Sequence, residues 1–295
     1  MSIKNKISSF VKKVVYREED KLLNKRLDII SFENISNPKK IKKADLIIFV
    51  IPTIKKGMGG ITSILRIGTG LENLGKKVYY VVYKEYIKKE LYEAAEYNLE
   101  SFKGDIISYK EAKEIDSDIV IASDWLSVYY TKTMKGYKMY FVQDFEPYMY
   151  PISDNYFLAK KTYEFGSHIV SLGSWNIRQI QKNCNIDNVL MNYVTFPFEH
   201  NEYQYVEKNL DAYTSKKEFN IAVYVKREKK RAPGLIMNMC KKIEEYYNSN
   251  NIKINFKFFG LNKNEKVSTG INLGKLSKRE LCDLYYNCDF GLVAS

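Results

Sequence analysis

Histidine is nearly missing from this chain: His168 and His200 are the only two among 295 residues. A two-histidine metal site or a Ser-His triad therefore has little support. The four cysteines, Cys184, Cys240, Cys282 and Cys288, show no CxxC or other metal spacing, and they read as reduced thiols of a cytoplasmic protein. Proline is scarce, at 6 residues. No long apolar run occurs near the start. The longest there, Leu46–Ile51, falls far short of the roughly 20 residues a membrane span requires. Lys4 and Lys6 are not followed by an apolar core, so no secretory signal is read at the N-terminus. The expected compartment is the cytoplasm.

Hydrophobic residues make up 45% of the chain and charged residues 28%, a globular composition. The length exceeds what one core usually fills, which predicts two domains. A formal charge of +12 suggests an anionic partner: nucleic acid, a phosphate-bearing small molecule or a membrane surface. The basic residues are spread along the chain and no RRM, KH or helix-turn-helix signature occurs, so nucleic acid is set aside.

Residues 1–44 begin with Ile7, Phe10, Val11, Val14 and Val15 at helical spacing, with Lys4, Lys6, Lys12, Lys13 and Arg17 opposite. Such a segment either lies on an anionic membrane or caps the domain behind it. ADLIIFVIP (44–52) is a buried parallel strand by composition. A loop with Gly57, Gly59 and Gly60 follows, then Ile61, Ile64, Leu65, Leu71 and Leu74 at helical spacing as far as Gly75, then a strand over 78–83. The N-terminus of that helix is an anion site or, equally, the end of a tight turn without a ligand. The spacing is not GxGxxG, and Tyr83 and Lys84 stand where an acidic ribose partner belongs, so NAD is disfavoured.

DIVIA (118–122) leads to Ser123, Asp124 and Trp125. A strand over 137–142 leads into FVQDFEPYMYP (141–151), where Gln143, Asp144 and Glu146 stand before Pro147. Open α/β sheets build sites at such carboxyl edges. Asp144 and Glu146 alone suggest a hydrolase-like acid/base pair. Helical patterning over 155–165, a strand over 168–172, a helix with Ser174 as N-cap and a strand over 189–193 complete this series.

The polar stretch 199–217 marks the boundary, giving an N-terminal segment 1–44, a first domain 45–205 and a second domain 206–295. FNIAVYV (219–225), a helix over 235–247, a strand over 252–259 ending at Gly260, a helix capped by Ser277 and a strand from Asp289 form a second α/β series. Its first loop carries Lys226, Arg227, Lys229, Lys230 and Arg231 between a strand end and a helix start. It is either a diphosphate site or a solvated basic loop.

GMGGITSILRIGTGLENLGKKVYYVV and NLGKLSKRELCDLYYNCDFGLVAS resemble the glycine loop and late signature of family 4 glycosyltransferases of the GT-B fold. YFVQDFEPYMYP and YEFGSHIVSLGSWNIRQI are similar to the branch holding bacterial surface-layer and rhamnan rhamnosyltransferases. The resemblance implies an α/β fold of two Rossmann-like doubly wound domains facing a cleft, the first acceptor-side and the second nucleotide-sugar-binding. It implies retaining transfer of a sugar, with L-rhamnose the candidate, from a dTDP- or UDP-linked donor to a glycan or lipid-linked saccharide acceptor, without a metal. Lys226 and Arg231 would hold the diphosphate, with Gly59, Gly60 and Gly260 also on the donor. Arg227 and Lys230 are alternatives for either cation, and Lys226 replaces the family's arginine. Asp144 would orient substrate, with Asp124, Gln143 and Glu146 contacting acceptor or sugar. The basic N-terminus would touch the inner face of the cell membrane. A diphosphate leaving group needs no strong acid, which weakens the hydrolase reading of Asp144 and Glu146.

The family's two glutamates, eight positions apart, would lie beyond Ser295. The second domain is thus expected to be incomplete and this polypeptide alone to have little or no transferase activity. The alternative expectation is a non-catalytic nucleotide-sugar or glycan-binding partner of another glycosyltransferase.

Overall fold

The computed structural model describes residues 27–38, 41, 43–84, 86–187, 189–196, 203, 205–228 and 231–294. The basic N-terminal helix read from the sequence, together with His200, Lys229 and Lys230, lies outside the described residues. The chain divides into two compact units, Met1–Phe196 and Pro197–Ser295.

In the first unit the chain runs β1 (Leu46–Ile51), α1 (Gly59–Asn73), β2 (Lys77–Val82), α2 (Lys88–Asn98), β3 (Asp105–Ser108) and α3 (Tyr109–Ala112). It continues through β4 (Ile119–Ala122), α4 (Trp125–Thr131), β5 (Tyr137–Val142), a 3-10 turn (Glu146–Met149), α5 (Asp154–Thr162), β6 (His168–Leu172), α6 (Ser174–Asn183) and β7 (Met191–Val194). The seven strands form one sheet in the order β3-β2-β1-β4-β5-β6-β7, and every pairing is parallel. Parallel strands sandwiched by helices must be apolar on both faces, and LIIFVI of β1 is. Ile48, Phe49, Val50 and Ile51 are all buried. The strand order reverses between β1 and β4, whose Val50 and Ala122 are paired at the carboxyl end. That reversal is the topological switch point, where loops diverge and leave a crevice.

The second unit repeats the plan in smaller form. It contains β8 (Glu218–Tyr224), α7 (Pro233–Asn248), β9 (Lys253–Phe259), β10 (Ile271–Asn272), α8 (Lys278–Tyr286) and β11 (Phe290–Val293). The parallel order is β10-β9-β8-β11, so its switch point lies at the end of β8. Val223, Ile236, Cys240, Phe256 and Phe258 form its core. Both units are Rossmann-like α/β layers.

Two details depart from the sequence reading. Ser174 does not cap α6: Gly173, at φ 76°, takes the cap position, and the Ser174 hydroxyl instead accepts from Arg178 at 2.8 Å. The segment α2–β3 gives almost no sequence signal because α2 buries only Leu91, Ala94, Ala95 and Asn98, while β3 is four residues long.

Candidate functional site

In the first unit the loops after β1, β4 and β5 meet at the carboxyl edge. The glycine loop is fixed from behind by Asn98, whose Oδ1 accepts the Gly57 N–H at 2.8 Å and whose Nδ2 donates to the Lys55 carbonyl at 2.9 Å. This holds the start of α1 with no capping side chain on it and no acidic residue in its first turn. The amides of Gly59 and Gly60 therefore head a helix dipole without a local anion. Gly60 lies against the Gln143 side chain: a Cβ there would stand 2.9 Å from Gln143 Oε1, so the carboxamide would have to move aside. The Gln143 carboxamide, half-buried beside α1, carries no side-chain hydrogen bond among the described residues.

Asp124 and Glu146 converge on the N-terminus of α4. Asp124 Oδ1 accepts the Ser127 N–H at 3.0 Å, and Oδ2 accepts the Tyr83 hydroxyl at 2.6 Å. Glu146 Oε2 accepts the Trp125 N–H at 2.8 Å, and the Tyr140 hydroxyl donates to Oε1 at 3.3 Å. Glu146 is only 6% exposed. Burial pushes its carboxyl well above the usual range, and the neighbouring Asp124 charge pushes the same way. Burial also raises Asp124, against the hydrogen bonds from Tyr83 and Ser127. Behind this pair Tyr163 stacks between Tyr140 and Phe145, at 5.3 and 5.5 Å between ring centres. The Tyr163 hydroxyl accepts the Glu146 N–H at 3.2 Å and lies 3.3 Å from the Asp144 carbonyl. The whole Gln143–Glu146 turn is pinned by one aromatic stack.

In the second unit the carboxyl end of β8 carries the cations. Lys226 Nζ and the Arg231 guanidinium lie 5.9 and 5.7 Å from the centre of the same ring, Tyr224. That distance is within cation–π reach. Neither has an acidic partner among the described residues, whereas Arg227 is paired with Glu265 through its Nε. Arg231 directly precedes the cap of α7, Ala232, which adopts a left-handed φ of 42°. That helix begins with Pro233 and has no side-chain cap and no acid in its first turn. Gly260 closes the same end of the sheet at φ 98°, where a Cβ would meet the Val225 carbonyl at 2.7 Å. Two cations with no acidic partner among the described residues, beside an uncapped helix start, are suited by charge and geometry to a doubly charged oxyanion.

Sequence reasoning thus selected two separate groups: Gly59, Gly60, Asp124, Gln143, Asp144 and Glu146 on the edge of the first sheet, and Lys226, Arg231 and Gly260 on the edge of the second. Of the open alternatives, Arg227 is engaged with Glu265, and Lys230 lies outside the described residues. The sequence reading missed Asn98, Tyr83 and Tyr224. Tyr83 and Tyr224 end apolar strand segments and could have been found by their place at a carboxyl edge; Asn98 gave no signal. No group of three or more His, Cys, Asp or Glu suited to a metal occurs among the described residues. No helix among them is long and apolar enough to cross a membrane.

No protein-family model matches the sequence, and no curated protein sequence matches it. Solved structures do. HepE of Anabaena, solved in complex with UDP and glucose, is 10% identical with a TM-score of 0.58, the match covering 83% of this chain and 73% of HepE. Sucrose-phosphate synthase of Thermosynechococcus elongatus is 10% identical with a TM-score of 0.55, covering 82% of this chain and 73% of that one. At this identity the likeness shows the fold, two Rossmann-like α/β sheets of the GT-B type.

Proposed function

We propose that this protein is a nucleotide-sugar-dependent glycosyltransferase, with the donor diphosphate held by Lys226 and Arg231 of the second unit and the acceptor sugar by the first. The observation that carries the reading is the pair of cations over Tyr224, without a carboxylate partner among the described residues, beside the uncapped start of α7. Cations held together without an anion repel one another, and a diphosphate relieves that cost. The fold adds support, since HepE was solved with UDP and glucose.

In the reaction, the bond between the sugar's anomeric carbon and the diphosphate oxygen breaks as a bond forms to the acceptor hydroxyl oxygen. The hydroxyl proton passes to the departing diphosphate. Lys226 and Arg231 stabilise the charge that grows on the leaving group, an effect worth more in the transition state than in the ground state. Attack on the face the diphosphate leaves would retain anomeric configuration. Asp144, with Gln143 beside the α1 start, orients sugar hydroxyls. Glu146 and Asp124 keep that wall in place through α4. The finer reading is a rhamnosyltransferase of family 4 type, using dTDP- or UDP-linked L-rhamnose on a cell-surface glycan or lipid-linked acceptor at the cytoplasmic side.

Isothermal titration with UDP and dTDP, followed by incubation with the matching labelled nucleotide sugars, tests this. Micromolar binding of one nucleotide is expected, with little or no release of that nucleotide from its sugar conjugate by this polypeptide alone. Absence of binding to either would sink the reading.

A further inference from the structure

On the edge of the first sheet, two aromatic side chains stand open against each other. Tyr148, in the turn after β5, is 52% exposed, and Trp175, in the first turn of α6 after β6, is 45% exposed. Their ring centres are 6.5 Å apart with planes inclined at 64°. Tyr148 is fixed on two further sides: its ring packs edge-on to the buried Phe145 at 4.8 Å, and its hydroxyl donates to Gln179 Oε1 at 3.2 Å. Trp175 is set by its backbone, because the neighbouring Asn176 side chain ties the start of α6 to the Leu172 carbonyl at 3.0 Å. A half-open ring held as Tyr148 is, with a second ring against it, differs from an ordinary exposed apolar residue, which is single and free to move.

We propose that Tyr148 and Trp175 form a stacking platform for a pyranose ring of the acceptor glycan, next to the polar turn of Gln143 and Asp144. The platform rests on the sugar-transfer reading for its ligand class and adds where the acceptor docks. A pyranose has one face of weakly positive C–H groups, and the face of an aromatic ring is negative. Its rim is hydroxyls, which need donors and acceptors at the edge of the platform. The Gln143 carboxamide, lacking a side-chain hydrogen bond among the described residues, offers both, and the Gln179 carboxamide, whose Oε1 takes the Tyr148 hydroxyl, adds an Nε2 donor. A lipid tail or an apolar helix would instead bury these polar groups unpaired. Stacking on the Tyr148 ring, already fixed by Phe145 and Gln179, costs little ordering entropy on binding.

The chain contains its own reporter. Of its two tryptophans, Trp125 is buried at 4% exposure and Trp175 is open. The test titrates the full chain with a panel of defined trisaccharides built from glucose, galactose, mannose, N-acetylglucosamine and L-rhamnose, reading Trp175 emission. At least one trisaccharide is expected to quench it saturably. Tyr148→Ala should weaken that binding by on the order of tenfold, and Trp175→Ala should do the same by calorimetry. Both variants should keep the wild-type far-UV circular dichroism and bind UDP or dTDP unchanged. The Lys226→Ala/Arg231→Ala double variant should lose nucleotide and keep the saccharide. A nucleotide-binding chain whose Trp175 responds to no trisaccharide overturns the platform while leaving the transferase reading intact. Equal saccharide affinity in Tyr148→Ala and Trp175→Ala overturns it as well, as does a requirement for the pair in sedimentation with anionic vesicles but not in saccharide binding.

Discussion

The Glu146 carboxylate accepts the backbone N–H of Trp125 at 2.8 Å, twenty-one residues back in the chain. The loop after β5 is thereby tied to the start of α4. Asp124 holds the same helix start through Ser127, so one buried and one half-buried acid serve one helix end. Of the two carboxylates in FVQDFEPYMYP, Glu146 is thus a structural tie rather than a group turned toward a ligand.

This arrangement predicts an inverted pH dependence. Burial raises the folded-state value of Glu146 above its unfolded value, so the protonated form favours the fold. Stability from this group is complete below the unfolded value, near 4.3, and is lost as pH rises toward the raised folded value. The slope for one such proton is about 1.4 kcal/mol per pH unit. Glu146→Gln cannot titrate and keeps an oxygen for the Trp125 N–H. Its thermal midpoint measured from pH 5 to 8 should be flatter than wild type, lower at the acid end and level or higher at pH 8. Asp124, also raised, leaves a residual slope. Parallel curves for wild type and variant would show that Glu146 does not titrate in this range.

A second prediction concerns the packing of α1 on β2. A Cβ at Gly68 would stand 2.1 Å from the Tyr80 hydroxyl. Tyr80 is fully buried, and its hydroxyl lies within 3.2 Å of both the Leu65 and Lys103 carbonyls, so it has nowhere to retreat. Gly68→Ala should lower stability by about 1–3 kcal/mol despite alanine's better helix propensity. Urea unfolding measures it. The neighbouring Gly70→Ala, where nothing lies within 4 Å of the new Cβ, should be neutral or stabilising.

The parts of this fold that were legible in the sequence share one property: continuous apolar runs. LIIFVI, KVYYVV, YKMYFV and EFNIAVY each gave a strand because parallel strands are buried on both faces. The candidate site was legible only as edge residues following such runs. What the residues do there was not, because Glu146 looks in sequence like any acid before a proline, and its direction depends on Tyr140 and Tyr163 from distant elements. The α2–β3 segment escaped because the buried face of its helix is only one leucine, two alanines and one asparagine.

That asparagine carries the third prediction. Asn98 is buried and satisfies the Gly57 N–H and the Lys55 carbonyl together. Asn98→Ala leaves both without a side-chain partner and should lower stability by about 1–3 kcal/mol. The loss should be local in character: hydrogen exchange at Gly57–Gly60 should speed up more than exchange in β1. Uniform acceleration across the unit would show that Asn98 supports the core at large rather than the glycine loop.

The last prediction separates three neighbouring cations of one loop. Lys226 and Arg231 share the Tyr224 ring, while Arg227 is spent on Glu265. If the diphosphate of a nucleotide binds here, its charge-assisted hydrogen bonds should come from the first two. Such bonds are worth about 1.5–3 kcal/mol each, so Lys226→Ala and Arg231→Ala should each weaken UDP or dTDP binding by on the order of 10- to 100-fold. Arg227→Ala should change it by less than about threefold, since an exposed ion pair contributes little. Lys226→Arg should preserve affinity, because charge is kept and a forked donor can only add contacts. Raising salt should weaken wild-type binding more steeply than that of either alanine variant. The same ranking measured with uridine or thymidine, which lack phosphate, should vanish. If Arg227→Ala proves as damaging as the other two, the loop acts through its net charge, and Lys226 and Arg231 hold no special place in it.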